Sequence, residues 1–143
     1  MRLKDKVAVV TGSGRGIGRD IALAYAREGA RIVVNDIDPA TAEATAAEAA
    51  KAGAKCIGVA ADIASPADIA RLVETTVKAF GRVDILVNNA MKIMPGKLEE
   101  LSEAAWDTTM NIGLKGAFLT SQACARHMIA QKSGRIVNIA SIA

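Results

Sequence analysis

Aromatic residues are scarce in this sequence, which has one Trp, one Tyr and two Phe among 143 residues. Hydrophobic residues nevertheless make up 51% of the chain, so a core must be built from Ala, Val, Ile and Leu. Cores of this kind favour a parallel sheet covered by helices. A chain of this length is most simply one domain, and we assign residues 1–143 to it.

Long apolar runs, blocks of like charge and clustered cysteines are also missing. No segment has the uncharged length of a membrane span and the first residues carry no signal-peptide core, so we expect a cytoplasmic protein that binds no membrane. The net charge is +3, and its 18 basic and 15 acidic residues are scattered, which argues against nucleic-acid binding. Cys56 and Cys124 lie in no metal-spaced cluster, so we expect reduced thiols and no metal site.

Strand-like and helix-like segments alternate along the chain. Short apolar runs predict five strands, at residues 6–11, 31–36, 55–60, 83–87 and 134–139. Helix signals fall between them, such as Asp38-Pro39 at one start and Gly81 at one end. A long helix is predicted over residues 102–131, weakened in its middle by Gly113 and Gly116. The alternation predicts an α/β, Rossmann-like, doubly wound parallel sheet in the order 3-2-1-4-5, with helices on both faces.

Four glycines fall between the first predicted strand and the first helix, in the segment Thr11-Gly12-Ser13-Gly14-Arg15-Gly16-Ile17-Gly18. Glycine lets the backbone approach a ligand, and the helix that follows offers N–H groups and a positive dipole end to a pyrophosphate. The alternative is a tight turn between strand and helix that holds no ligand. The spacing departs from G-x-G-x-x-G and fits T-G-x-x-x-G-x-G.

With that spacing, the sequence resembles the short-chain dehydrogenase/reductase family, whose nucleotide loop is written in the same way. The resemblance implies an oxidoreductase that moves a hydride between the nicotinamide of NAD(P) and a carbonyl or alcohol substrate. It also implies cofactor contacts at a set of residues in the loops that follow the strands: Gly12, Ser13, Arg15, Gly16, Ile17, Gly18, Asp36, Ile37, Asp62, Ile63, Asn89 and Ala90.

Asp36 ends the second predicted strand, twenty positions after Gly16. An acid at this point accepts hydrogen bonds from the adenosine ribose and repels a 2′-phosphate, which favours NAD over NADP as the cofactor. The alternative is an acid that only turns the chain before Asp38. Arg15 is the opposing signal, because an arginine in the loop attracts a phosphate.

Two further motifs resemble those of the family. Asp62-Ile63 corresponds to the acid and aliphatic pair beside the adenine, although the same acid is also suited to capping a turn. Asn88-Asn89-Ala90 corresponds to the start of the Asn-Asn-Ala-Gly motif, which steadies the sheet and lines the cofactor cleft. Met91 stands where the family usually has glycine, so it either crowds the space for cofactor or substrate or packs over the loop.

The catalytic set of the family consists of Asn, Ser, Tyr and Lys. The resemblance assigns the Asn to Asn111 and the Ser to Ser141. The Tyr-x-x-x-Lys motif would follow beyond Ala143, and the only tyrosine, Tyr25, belongs to the first helix. Since this tyrosine is the proton donor of the family, we expect the 143-residue chain to be inactive on its own.

Three interpretations remain open at this stage. The chain is a truncated or separately encoded piece of an NAD-dependent oxidoreductase, a non-catalytic module for dinucleotide binding or oligomerisation, or a structural fragment without a ligand. The fifth strand would be a bare sheet edge, and the family uses its long helix to pair subunits. We therefore expect a homo-oligomer or a complementing C-terminal fragment.

Overall fold

Five parallel strands form one sheet in the part of the chain that the structure, a computed structural model, describes, residues 1–141. The strands are β1 (Val7–Val10), β2 (Arg31–Asp36), β3 (Cys56–Ala60), β4 (Ile85–Asn88) and β5 (Arg135–Asn138). Their spatial order is β3-β2-β1-β4-β5, with every neighbouring pair parallel. This confirms the predicted fold class and strand order.

Three helices connect the first four strands, namely α1 (Gly16–Arg27), α2 (Pro39–Lys51) and α3 (Pro66–Phe80). The cap predicted at Asp38 forms, because its side chain accepts the Ala40 N–H at 2.9 Å, and α3 has a similar cap in which Ser65 accepts the Asp68 N–H at 3.3 Å. Gly81 ends α3 in the left-handed conformation, with φ of +78°. Proline stands at the first position of α2 and α3, where its missing N–H costs no helical hydrogen bond.

The predicted long helix is divided into three parts. It runs as α4 (Glu103–Met110), a π-helical stretch over Asn111–Gly116, here called the π segment, and α5 (Ala117–Ala130). Gly116 is buried in this stretch, and a Cβ on it would lie 2.8 Å from the carbonyl oxygen of Ile63. The helix therefore approaches the loop after β3 so closely that a side chain at Gly116 does not fit.

Successive residues of the central strands point to opposite faces of the sheet and build two separate cores. Val10 and Val34 face α1 and α2, where most of the covering side chains are alanines. Val9 and Val33 face α3 and α5, where they pack with Leu72 and Cys124, among others. β1 is fully buried, as predicted for a strand covered on both faces.

β5 differs from the other strands because all four of its residues are exposed. It pairs with β4 and forms an edge of the sheet among the described residues. Ile136 and Val137 are 40% and 39% exposed. The edge position predicted for this strand is confirmed. Its apolar side chains are exposed to solvent.

The residues that the structure describes provide neither a membrane span nor a metal cluster. None of their helices is long and apolar enough to cross a bilayer. Within the same residues, no three His, Cys, Asp or Glu side chains are grouped to hold a metal ion.

Both cysteines are free thiols, and their burial generates a prediction. Burial raises the pKa of the Cys124 thiol to about 12 and also raises that of half-buried Cys56. Because the thiolate is the reactive form, we expect slow labelling by a disulfide reagent in the folded protein and fast labelling in denaturant. Cys56→Ala isolates the signal of Cys124. Rapid labelling of Cys124 under native conditions would mean that α5 does not cover the sheet.

Candidate functional site

The glycine-rich loop connects the carboxyl end of β1 with the start of α1. Gly12 and Gly16 have φ of +60° and +56°, a region that L-residues rarely adopt. Arg15 is the N-cap of α1, where its side chain makes no capping hydrogen bond, and the first turn of α1 has no acidic residue. The positive end of the helix dipole therefore faces the loop without a carboxylate of its own, an arrangement that suits an anion.

The same loop packs closely against the segment that follows β4. A Cβ on Gly12 would lie 2.8 Å from the Cα of Ala90, and a Cβ on Gly18 would overlap the Asn89 Nδ2 and the Gly12 carbonyl oxygen. Both glycines are thus required by contacts within the protein. The spacing of the motif reflects this packing as well as any approach of a ligand.

Hydrogen bonds join these two segments into what we call the Thr11–Asn89 clasp. The Thr11 Oγ1 accepts the N–H groups of Asn89 and Ala90 at 3.0 and 3.1 Å, and donates to the Val87 carbonyl at 3.3 Å. The Asn89 Nδ2 donates to the carbonyl oxygens of Thr11 and Gly12, each at 3.0 Å. The clasp fixes the glycine-rich loop to the end of β4.

Ser13 is wholly buried beneath the loop. Its hydroxyl donates to the Val10 carbonyl at 2.6 Å and accepts the Asn35 N–H at 3.2 Å, while its own N–H donates to the Asn35 carbonyl at 2.7 Å. The Asn35 side chain in turn donates to the carbonyls of Val59 and Ala61, at 3.2 and 3.0 Å. Ser13 is therefore placed inside the protein, as a link between the ends of β1 and β2.

Asp36 lies at the end of β2 beside the same loop and is 5% exposed. Its Oδ2 accepts the Gly14 N–H at 3.0 Å, and its Oδ1 accepts the Asp38 N–H at 3.2 Å. The carboxylate therefore turns the chain before α2 and also holds the loop. Each oxygen retains acceptor capacity, so these contacts leave room for further donors from the cavity side.

Asp62, in the loop after β3, also forms two hydrogen bonds that shape the chain around it. Its Oδ1 accepts the Ala64 N–H at 2.8 Å, and its own N–H donates to the Asp68 carboxylate at 2.8 Å. The pKa of Asp68 lies below its ordinary value because this carboxylate accepts the Asp62 N–H and a hydrogen bond from Arg71. Asp62 thus forms the turn that precedes α3, as one of the two sequence interpretations held.

A cavity of about 620 Å³ lies over the carboxyl ends of the strands, where these loops meet. Its volume falls in the range of small-molecule sites, and its place at the reversal of strand order is where ligands bind in sheets of this kind. Ser13, Gly16, Ile17 and Gly18 are not in its wall. The other eight predicted cofactor residues line it: Gly12, Arg15, Asp36, Ile37, Asp62, Ile63, Asn89 and Ala90.

A second cavity, of about 430 Å³, lies between the ends of β4 and β5 and the π segment. Asn88, Ser121 and Asn138 line it, and the Asn88 Nδ2 donates to the Ser121 Oγ at 2.9 Å and to the Asn138 Oδ1 at 2.8 Å. This network joins α5 to both strands. One side of the second cavity is therefore formed by the hydrogen-bonded side chains of Asn88, Ser121 and Asn138.

Neither of the two predicted catalytic residues lines the first or the second cavity. Asn111 is the first residue of the π segment and is exposed, while its neighbour Ile112 lines the first cavity. Single-turn π stretches often accompany functional sites in helices. Ser141 follows β5 by three residues, at the carboxyl edge of the sheet.

Comparison with known proteins identifies the family. The sequence model described as short chain dehydrogenase matches residues 6–143. The chain belongs to the short-chain dehydrogenase family. It is 48% identical over 141 residues to the (2S)-[(R)-hydroxy(phenyl)methyl]succinyl-CoA dehydrogenase subunit BbsD of Thauera aromatica, covering 99% of this chain and 57% of that protein.

Two further relatives illustrate the range of the short-chain dehydrogenase family. D-threitol dehydrogenase of Mycolicibacterium smegmatis is 44% identical over 140 residues, which cover 98% of this chain and 54% of that one. A metagenomic short-chain oxidoreductase solved in complex with NADP has a TM-score of 0.93 and 38% identity, covering all of this chain and 65% of its own. The chain thus spans roughly half to two thirds of the length of these relatives.

Some structural roles in this short-chain dehydrogenase site were not predicted from the sequence, although Thr11 and Met91 themselves were named there. The roles of Asn35 and Thr11 as hydrogen-bonding centres and the joint position of Met91 in the walls of both cavities emerge only from the structure. One signal was present for Asn35, because an amide in the apolar run of β2 must find buried partners. The position of Met91 depends on contacts with residues more than twenty positions away.

The clasp can be tested with two substitutions of Thr11, which is 1% exposed. Thr11→Val keeps the shape but leaves two partly buried N–H groups without their acceptor, so we expect the free energy of unfolding to fall by about 2 kcal/mol. Thr11→Ser keeps the hydroxyl and loses one methyl group, so we expect a loss of about 1 kcal/mol. Urea denaturation followed by circular dichroism measures both. No loss of stability in Thr11→Val, together with a loss in Thr11→Ser, would show that the methyl group matters and the hydroxyl does not.

Proposed function

We propose that this chain forms the dinucleotide site of an oxidoreductase of the short-chain dehydrogenase type, and that it binds NAD in preference to NADP. The observation that carries the preference is the carboxylate of Asp36, which lies in the wall of the first cavity and is held there by the Gly14 and Asp38 N–H groups. A fixed acid at this point accepts ribose hydroxyls and repels a 2′-phosphate.

The residues in and beside the first cavity support this proposal, because they offer groups suited to the parts of a dinucleotide. The uncapped start of α1 and the backbone of Gly12 would hold the pyrophosphate, since they offer backbone N–H groups and the positive end of a helix dipole. Asp36 would hold the adenosine ribose, with Ile37 beside it. Asp62 and Ile63 would border the adenine, with Asp62 kept in place by the turn before α3.

In the proposed reaction of the whole protein, the nicotinamide supplies or accepts a hydride, and the substrate is a carbonyl compound or an alcohol. Asn111 and Ser141 are the proposed catalytic residues on this chain. Ser141 would donate a hydrogen bond to the substrate oxygen, and Asn111 would hold a water molecule for proton transfer. A hydroxyl can stabilise the developing charge on that oxygen without itself losing a proton.

A proton donor of the tyrosine type is not available within this site. Tyr25, the only tyrosine in the sequence, lies in α1 and packs against the core on the far side of the sheet from α5. We therefore propose that the 143 residues bind dinucleotide without turnover, and that catalysis by the whole protein draws its proton donor from a further segment or chain. Dinucleotide binding by this chain and catalysis by the whole protein can therefore be tested separately.

The competing proposal is a preference for NADP. Arg15 also lines the first cavity, and a guanidinium there would attract a 2′-phosphate. The metagenomic relative was solved with NADP. Asp36 is the better supported determinant, because two backbone hydrogen bonds fix its carboxylate, whereas the Arg15 side chain forms no hydrogen bond or ion pair with the rest of residues 1–141.

Titration of the purified chain with NADH and NADPH, followed by cofactor fluorescence, tests the preference. We expect NADH to bind more tightly by about tenfold or more, because placing the 2′-phosphate beside Asp36 costs over 1 kcal/mol in charge repulsion. Asp36→Asn keeps the shape and removes the charge, so it should narrow the difference chiefly by improving NADPH binding.

Arg15→Ala is the matched control for this titration. Tighter binding of NADPH by the wild-type protein, abolished by Arg15→Ala, would replace Asp36 with Arg15 as the determinant of preference. Binding of neither cofactor would leave a structural fragment as the correct interpretation. Binding of NADH without oxidation on addition of carbonyl compounds is the outcome expected for this chain.

We also propose self-association through the helix formed by α4, the π segment and α5. Trp106, Leu114, Phe118 and Ile129 are all more than half exposed along it, and apolar exposure on this scale favours burial against another surface. β5 offers a second surface, which would suit a complementing C-terminal fragment. The helix and the end of β5 both border the second cavity, through Phe118 and Asn138, so the two modes of assembly use adjoining surfaces.

Light scattering with Phe118→Lys tests the helix as an interface. Phe118 is 60% exposed, so the substitution costs little in the isolated chain, whereas burying an unpaired ammonium between two subunits is strongly unfavourable. We expect the mass to fall to that of one chain. Lys51→Glu on α2 is the control and should leave the mass unchanged. A monomeric wild-type protein, or an unchanged oligomer in Phe118→Lys, would contradict this interface.

A further inference from the structure

Met91 stands at the boundary between the two cavities. Its side chain is 56% exposed and lines both the cavity of about 620 Å³ and the cavity of about 430 Å³. Asn89 and Ala90 also border both cavities. The amide of Asn89 is held by Thr11 and Gly12, however, and Ala90 has only a methyl group. Met91 is therefore the long side chain at this junction that no hydrogen bond restrains.

The Met91 side chain lies across the π segment at Gly113. A Cβ on Gly113 would lie 3.3 Å from the Met91 Cε, 3.7 Å from its Cγ and 4.0 Å from its Sδ. Ile112 lines the first cavity and Gly113 the second. Met91, in the loop after β4, therefore contacts the π segment at the place where the two cavities adjoin.

We propose that Met91 is a specificity-determining residue that narrows the passage between the two cavities. It would thereby control the affinity for a ligand that occupies both of them at once. This inference rests on the proposed function, with the adenosine half of a dinucleotide in the first cavity and the nicotinamide half in the second. Methionine is flexible and apolar, so it forms an adjustable partition, and Gly113 provides the space into which its methyl group fits.

Calorimetric titration with NADH and with ADP separates the two halves of the site, because ADP lacks the nicotinamide half. Met91→Ala removes the partition, so we expect NADH to bind about tenfold more tightly, the scale on which a pocket responds to a few methylene-sized groups. Binding of ADP should stay within about twofold. Gly113→Ala should weaken the binding of NADH and leave the binding of ADP unchanged, because the added methyl group pushes the Met91 Cε into the passage.

The double variant Met91→Ala with Gly113→Ala isolates the contact. Helical backbone accepts alanine readily, so the Gly113→Ala effect should disappear once the Met91 thioether is gone. Leu98→Ala is the control for losing an exposed apolar side chain from the same segment. Leu98 is 93% exposed and lines neither cavity, so neither affinity should change.

The outcomes distinguish failure of this inference from failure of the proposed function. Binding of neither NADH nor ADP by the wild-type protein overturns the proposed function and the inference with it. Binding of both, with the same NADH-to-ADP affinity ratio in wild type and Met91→Ala, overturns only the role of Met91. Weaker NADH binding by Met91→Ala, or an equal effect of Leu98→Ala, also overturns that role.

Discussion

The site depends on the hydrogen bonds that tie the glycine-rich loop to the end of β4. β1 and β4 are neighbours in the sheet but lie more than seventy residues apart in the sequence, and their loops would otherwise be free to separate. Thr11 and Asn89 prevent this because each side chain forms hydrogen bonds with the other residue's backbone, and an unmade hydrogen bond at a partly buried position is costly. The glycines at positions 12 and 18 make the approach sterically possible.

Around this fixed point, local carboxylates and an amide hold the parts of the first cavity's wall that follow β2 and β3. Asp36 holds the loop from the side of β2, Asp62 forms the turn after β3, and Asn35 joins β2 to the residues beyond β3. These polar groups therefore already form hydrogen bonds within the protein before any ligand binds. A site formed in this way needs little rearrangement on binding, which reduces the entropy lost when a ligand is ordered.

The strand order and the helix starts could be predicted because they follow from local patterns, such as the apolar run of β1 and the Asp38-Pro39 cap. The loop motif and Asp36 could be placed near each other because parallel strands end at one edge. The burial of Ser13 and the π segment could not be predicted, because they depend on distant partners. Ser13 is held by Asn35, and the helix at Gly116 is fitted to the backbone of Ile63.

The close seating of α2 on β3 has a mechanical consequence for the loop. A Cβ on Gly58 of β3 would lie 3.0 Å from the backbone of Ala42 in α2, so the helix rests on the strand with no spare volume. One turn further along, Thr45 of α2 donates to the Gly14 carbonyl at 3.1 Å. A larger side chain under the middle of α2 would therefore displace the helix and, through Thr45, the glycine-rich loop, although the altered residue lies outside that loop.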